Sequence, residues 1–309
     1  MLSERAVYWN GRFISWDEAT VHTMSHSFCR GSAIFDVFTL HRTLSGRALF
    51  RLDENTRRFF RSAELLGMKL PFDSEGFQRA VLDTVKKNEA VRQGLIKVMG
   101  FYSQVALGLT PPAVPLDIAI FVLDPAEDLS GPEAADDTVV QTASACLSRW
   151  RKLDPETVPI EAKVAANYLN SMVARSEAMG RGFSHVVLLD TQGFVAEGGT
   201  ESLFLVEHGR LVTPALGTVL GSITRKSLLE AAPAAGIEAR EERVSPERLY
   251  QADELFFANT VTKVLPVTRF EDRIFPGAPG PVGRRLAAFM ADIVSGRDPS
   301  FKNWLFPVD

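Results

Sequence analysis

The segment Val7-Tyr8-Trp9-Asn10-Gly11-Arg12-Phe13-Ile14 constrains the chain most sharply. Asn-Gly between two β-rich runs supplies the positive φ angles of a tight hairpin turn, so the chain opens with antiparallel sheet. The period then changes. Between residues 53 and 66 the apolar side chains Phe59, Phe60, Ala63 and Leu66 fall at three- and four-residue spacing, with Arg57, Arg58, Arg61 and Glu64 among them. That pattern is an amphipathic helix. A second helix is expected over 74–88, then strands over 95–101 and 116–122, separated by the turn-rich Gly108-Leu109-Thr110-Pro111-Pro112. Residues 124–137 hold Gly131, Pro132 and several acidic groups with no apolar period, which is linker composition.

The chain therefore divides into a small N-terminal α/β domain (1–123), an interdomain linker (124–137) and a larger sheet-based C-terminal domain (138–309). In the last, strands at 186–189, 193–196, 202–206, 210–213 and 255–258 alternate with helices at about 168–179, 224–235, 245–251 and 282–294. Ser245-Pro246 gives the third of these helices an N-cap followed by proline in its first turn.

With 309 residues, 46% of them hydrophobic, the chain can bury a large core. A net charge of -4, with both signs mixed throughout, leaves no basic stripe for a phosphate backbone and points to small molecules rather than nucleic acid. Cys29 and Cys146 stand far apart, in no metal-ligand spacing, which suits a reducing compartment. Met1-Leu2-Ser3-Glu4-Arg5 lacks an apolar signal core. No apolar run approaches the ~20 residues of a membrane helix, so a cytoplasmic location is expected.

Nucleotide signatures are missing. No G-x-G-x-x-G follows a strand, and residues 217–227 place glycine and Lys226 wrongly for a P-loop. His22 and His26 are four apart, but Thr23 stands where a zinc hydrolase helix carries glutamate, so no metal is expected.

Three segments carry chemistry. In Lys163-Val164-Ala165-Ala166-Asn167-Tyr168 the amine has apolar neighbours that lower a lysine pKa and make it nucleophilic; the alternative is a surface lysine before a helix. Phe194-Val195-Ala196-Glu197-Gly198-Gly199-Thr200-Glu201-Ser202 offers a carboxylate at a strand end, Glu197 or its rival Glu201. Leu220-Gly221-Ser222-Ile223-Thr224-Arg225 precedes an apolar-periodic helix and presents free N–H groups and a positive dipole end to a phosphate.

In order and spacing these segments resemble the cofactor site of the class IV aminotransferases, which include branched-chain and D-amino acid aminotransferases. The resemblance runs from Trp9-Asn10-Gly11 through Val21-His22-Thr23-Met24-Ser25-His26 to Lys302-Asn303-Trp304-Leu305. It implies the two-domain fold type IV arrangement of the D-amino acid aminotransferase kind, with pyridoxal 5'-phosphate (PLP) at the domain interface. By the same resemblance Lys163 is the Schiff-base lysine and Glu197 faces the pyridine nitrogen. Ser222, Ile223 and Thr224 form the phosphate cup, with Ser222 where the family usually has glycine. Thr260 and Arg58 complete that cup, Arg57 and Arg61 competing with Arg58, and Tyr168 reaches the phenolic oxygen.

On the substrate side the sequence departs from the branched-chain pattern. Cys29-Arg30-Gly31 stands for the usual His-Tyr-Gly, Leu95-Ile96-Lys97 for Tyr-Ile-Arg, and Phe35-Asp36-Val37-Phe38-Thr39 for Phe-Glu-Gly-Ile-Arg. Arg30, Phe35, Val37, Lys97 and Thr262 are the expected substrate contacts; Arg30 and Lys97 are each either a carboxylate partner or a surface charge. The resemblance implies a ping-pong transfer from a hydrophobic or branched-chain L-amino acid to 2-oxoglutarate in a homodimer. D-amino acid or (R)-amine transamination is the alternative, and 4-amino-4-deoxychorismate lyase a further one.

Overall fold

The computed structural model describes residues 2–128 and 141–308. They fall into two compact units, one of Met1–Thr138, Ala162–Ala166 and Ile293–Asp309, the other of Val139–Glu161 and Asn167–Asp292.

The first unit holds β1 (Ala6–Trp9), β2 (Arg12–Ser15), α1 (His26–Arg30), β3 (Ile34–Thr43), β4 (Gly46–Phe50), α2 (Leu52–Leu65), α3 (Ser74–Lys87), β5 (Gly94–Phe101), β6 (Asp117–Leu123) and one helical turn, α4 (Pro125–Asp128). The expected hairpin is present, Asn10 and Gly11 taking φ of 48° and 89° between β1 and β2. The sheet has seven strands, all antiparallel, in the order C-terminal strand Leu305–Pro307, β4, β3, β5, β6, β1, β2. Alternation along β3 sends Ile34, Phe38 and Leu40 into a core with Phe59 of α2 and Phe77 of α3, whose rings stack at 5.1 Å. The partner residues Phe35, Val37 and Thr39 belong to the opposite face.

The second unit contains β7 (Ala143–Arg151), α5 (Tyr168–Gly180), β8 (His185–Leu189), β9 (Val195–Gly198), β10 (Ser202–Glu207), β11 (Arg210–Pro214), α6 (Ile223–Ala231), β12 (Ala239–Glu242), α7 (Pro246–Gln251), β13 (Glu254–Ala258), β14 (Leu265–Phe270), β15 (Arg273–Ile274) and α8 from Pro281. Its nine strands run β12-β11-β10-β13-β14-β7-β8-β9, with β15 on β14. The β11–β12, β14–β7 and β7–β8 pairs are parallel and the rest antiparallel. The strands β10 and β13 are buried along most of their length, as expected of strands covered on both faces.

Several boundaries differ from the sequence reading. Ala162–Ala166 and Ile293–Asp309 sit with the first unit and not with a domain 138–309, because Val164 bridges to Ile34 and the C-terminal strand pairs with β4. Residues 125–128 of the expected linker are helical, and 129–137 lie outside the described residues. Helix α6 ends at Ala231 rather than 235, since Pro233 offers no N–H to continue it. The strand expected at 193–196 begins at Val195, because Gly193 (φ 88°) closes a turn onto the Asp190 carbonyl. Strands β3, β4, β7, β12, β14, β15 and the C-terminal strand Leu305–Pro307 were not foreseen.

Candidate active site

In the first unit the site is built where the Lys163 segment lies along the end of β3. The Phe35 N–H donates to the Lys163 carbonyl (3.0 Å) and the Ala165 N–H to that of Ala33 (2.8 Å). From the other side, the Lys163 N–H donates to Ser62 Oγ (2.9 Å), and that hydroxyl donates to the Arg58 carbonyl (2.9 Å). A strand and a helix thus fix one lysine backbone between buried Ala162 and Val164. Its Nζ lies 4.7 Å from the Phe35 ring centroid. Lys97 Nζ approaches the same ring at 5.7 Å and Lys97 is paired directly with Val37. Lys163, Phe35, Val37 and Lys97 therefore lie together at one sheet face.

The three arginines of α2 separate cleanly. Arg57 and Arg61 are exposed and pair with Glu54 and Glu64 of their own helix. Arg58 turns inward and makes a two-point contact with fully buried Asp36, Nε to Oδ2 at 2.9 Å and the second nitrogen to Oδ1 at 2.6 Å. This fork is the geometry that favours arginine over lysine. Arg30 stands apart, exposed at the end of α1, with its guanidinium on the carbonyls of Leu107 (2.9 Å) and Gly108 (3.5 Å). The His22/His26 pair is not a helix face. Helix α1 starts at His26, whose ring meets Ser32 Oγ at 2.8 Å, and no metal-holding cluster occurs among the described residues.

In the second unit Glu197 lies on β9, and its carboxylate is 2.5 Å from Lys152 Nζ, both side chains about one-tenth exposed (10% and 11%). A Cβ on the next residue, Gly198, would lie 2.8 Å from Glu201 Oε2 and 3.0 Å from the Phe257 ring, which explains the glycine. Glu201 is engaged by its own turn, accepting from the Thr200 N–H (2.9 Å) and hydroxyl (2.8 Å) and pairing with Arg175 (3.5 Å). The two rivals differ in their partners: Glu197 pairs with Lys152 just after β7, while Glu201 is held by Thr200 and by Arg175 of α5.

Ser222 caps α6, its hydroxyl accepting from the Arg225 N–H at 3.2 Å. The N–H groups of Ile223 and Thr224 have no acceptor among the described residues, so the helix start offers donors and its dipole. Thr224 Oγ1 donates to the Asn259 carbonyl (3.0 Å), tying α6 to the turn that carries Thr260 and Thr262. Arg225 is buried, its guanidinium on the Pro214 carbonyl (2.7 Å) and Glu241 (2.5 Å). Burial lowers its pKa, with Glu241 and, least, Glu197 opposing the shift. Tyr168 opens α5, half-buried.

Sequence reasoning missed Lys152, Ser62 and the pairing of Asp36. A serine on the buried side of α2, four residues after Arg58, was the one available signal; nothing local marks Lys152.

The amino-transferase class IV family model matches residues 34–270. The branched-chain-amino-acid aminotransferase of Salmonella typhimurium is 31% identical over 305 residues, covering 98% of this chain and 97% of that protein. A T.th. branched-chain amino acid aminotransferase structure, complexed with N-(5'-phosphopyridoxyl)-L-glutamate, superposes with a TM-score of 0.91 at 32% identity, covering 100% of both chains. The Escherichia coli branched-chain aminotransferase structure gives 0.92 at 30%, covering 99% of each.

Proposed function

The chain belongs to the class IV aminotransferases, and from that premise we propose that it moves the amino group of a hydrophobic, branched-chain L-amino acid to 2-oxoglutarate, in ping-pong order, with PLP as cofactor. The observation that carries the reading is the Phe35 ring with Lys163 Nζ at 4.7 Å and Lys97 Nζ at 5.7 Å, a held amine beside an apolar sheet face with a second cation on it.

The residues fit the cofactor. The start of α6 and Thr260 offer uncommitted donors suited to a phosphate, and Glu197 is a carboxylate held in place by Lys152. In this reading Lys163 holds the cofactor; Ser222, Ile223, Thr224, Thr260 and Arg58 take its phosphate, Glu197 its ring nitrogen and Tyr168 its phenolic oxygen. When bound, PLP supplies an electron sink for negative charge developing at the amino acid's α-carbon. Lys163 Nζ takes the α-proton as general base and returns one as general acid. Glu197 keeps a proton on the ring nitrogen, and Lys152 keeps Glu197 oriented.

Lys97 lies between Val37 and Phe121 in register, so its ammonium rises from apolar neighbours. Such a face suits a branched aliphatic side chain in one half-reaction and the second carboxylate of 2-oxoglutarate in the other. We propose Arg30, at the end of α1, and Thr262, on the turn after β13, as further substrate contacts. Phe28, Leu107 and Leu109 are 70%, 72% and 85% exposed, and a second copy of the chain in a homodimer would cover such residues. No described helix is long and apolar enough to cross a membrane. Free Cys29 and Cys146 suit work in the cytoplasm.

The test is a donor panel with 2-oxoglutarate and PLP, following glutamate. Turnover of L-leucine, L-isoleucine or L-valine supports the proposal. Turnover confined to D-amino acids or (R)-1-phenylethylamine replaces the donor, and pyruvate release from 4-amino-4-deoxychorismate without an acceptor replaces the reaction.

A further inference from the structure

The turn Asn259–Lys263 in the second unit follows β13 and ends on a lysine that the proposed reaction does not use. Its geometry is closed from within: the Asn259 N–H donates to the Thr262 carbonyl (3.1 Å), and the Thr262 N–H to Asn259 Oδ1 (2.7 Å). From outside, Thr224 of α6 donates to the Asn259 carbonyl at 3.0 Å. Lys263 then folds back over the turn, Nζ donating to the carbonyl of Thr260 at 2.5 Å. The result is a division of labour within one residue. The Thr260 carbonyl is capped by an ammonium, while its N–H and hydroxyl meet no acceptor among the described residues. The same is true of the N–H groups of Ile223 and Thr224 on the helix to which the turn is tied.

A phosphate dianion demands this arrangement. It accepts only, so every carbonyl lone pair near it repels and every uncommitted donor attracts. We propose that Lys263 is a positioning residue for the cofactor's phosphate: it occupies the Thr260 carbonyl, fixes the turn, and leaves the Thr260 donors for the ligand beside the start of α6.

The proposal rests on the PLP reading of the site and extends it to a residue outside the motifs that carry that reading. The position also explains a cost. Burial pulls the amine down from 10.5 to about 7, so the charged form is disfavoured by desolvation, and a nearby dianion is what would favour it. A lysine kept only for packing gains nothing from that arrangement.

The test compares binding of PLP and of pyridoxal, which has the same ring and aldehyde but no phosphate, to the full chain and to Lys263→Met, Lys263→Gln and Lys263→Arg, by equilibrium dialysis. Lys263→Met is expected to weaken PLP by about tenfold or more, equivalent to ~1.4 kcal/mol, and to leave pyridoxal within about twofold. Lys263→Arg, which keeps a charged donor, is expected to recover most of the PLP affinity. If Lys263→Met does not fold, Lys263→Gln, which keeps a donor without the charge, is expected to fall between wild type and the tenfold loss. Equal weakening of PLP and pyridoxal, or unchanged PLP binding in the Met or Gln variant, would overturn the assignment to the phosphate. Wild-type protein that binds neither compound would overturn the cofactor reading and this inference with it.

Discussion

Lys152→Met tests the ion pair on which the placement of Glu197 depends. The nitrogen and oxygen are 2.5 Å apart and the side chains 11% and 10% exposed, so the pair is neither fully screened nor dry. At an effective dielectric near 20 the gross attraction at that separation is roughly 7 kcal/mol, much of it offset by desolvating both ions. Methionine keeps the stem volume of lysine and deletes the charge, leaving Glu197 buried without its ammonium, which costs about 3–5 kcal/mol. For a domain of this size each kcal/mol moves Tm by ~2–4 °C, so the expected drop is roughly 6–20 °C. Urea unfolding and calorimetry of the cofactor-free protein measure it. Adding Glu197→Gln should restore much of the loss, because it removes the carboxylate charge that the Lys152 ammonium had offset. Lys152→Arg should stay within about 1 kcal/mol of wild type. An unchanged Tm in Lys152→Met, or a coupling energy in the cycle under ~0.5 kcal/mol, would show that the two groups do not depend on each other.

The same logic applies to Arg58→Met, which leaves fully buried Asp36 without its two-point partner and should cost about 3–5 kcal/mol by denaturant midpoint, with Asp36→Asn largely relieving it. Ser222→Ala removes the hydroxyl that accepts from the Arg225 N–H and should cost ~1 kcal/mol, while Ser222→Gly costs only a few tenths. Burial holds the His185 pKa below its ordinary 6.5, with Glu201 opposing and Arg175 assisting. The folded state therefore resists that proton, and stability is full above about 6.5 and falls as pH drops through 6.5 toward the folded value. In His185→Phe, which keeps a ring against Phe257, that acid-side loss should disappear from a pH series of unfolding midpoints.

What the sequence disclosed followed from how locally each feature is determined. Asn10-Gly11 and the periodic faces of α2 and α3 depend on neighbours a few residues away, and those elements lie where expected. Strands β3 and β7 were missed because they lack the clean apolar-polar alternation of a strand with one solvated face. On β3 the buried face includes Asp36, whose polarity is offset by Arg58, 22 residues further along the chain. Lys163 was legible as a motif, but its membership of the first unit is set by hydrogen bonds to Phe35 and Ser62 that no linear pattern encodes. The Lys152–Glu197 pair was invisible for the same reason. Charge alone could not separate Arg58 from Arg57 and Arg61; burial of Asp36 did.

Lys163 is the residue on which the proposed chemistry turns, and reductive trapping addresses it most directly. Purified protein is incubated with PLP, reduced with borohydride, digested and mapped by mass spectrometry, alongside Lys163→Ala. The expected result is one phosphopyridoxyl group, on Lys163, and a violet absorption band before reduction that the variant lacks. A label on another lysine, or a band that survives in Lys163→Ala, would contradict the account.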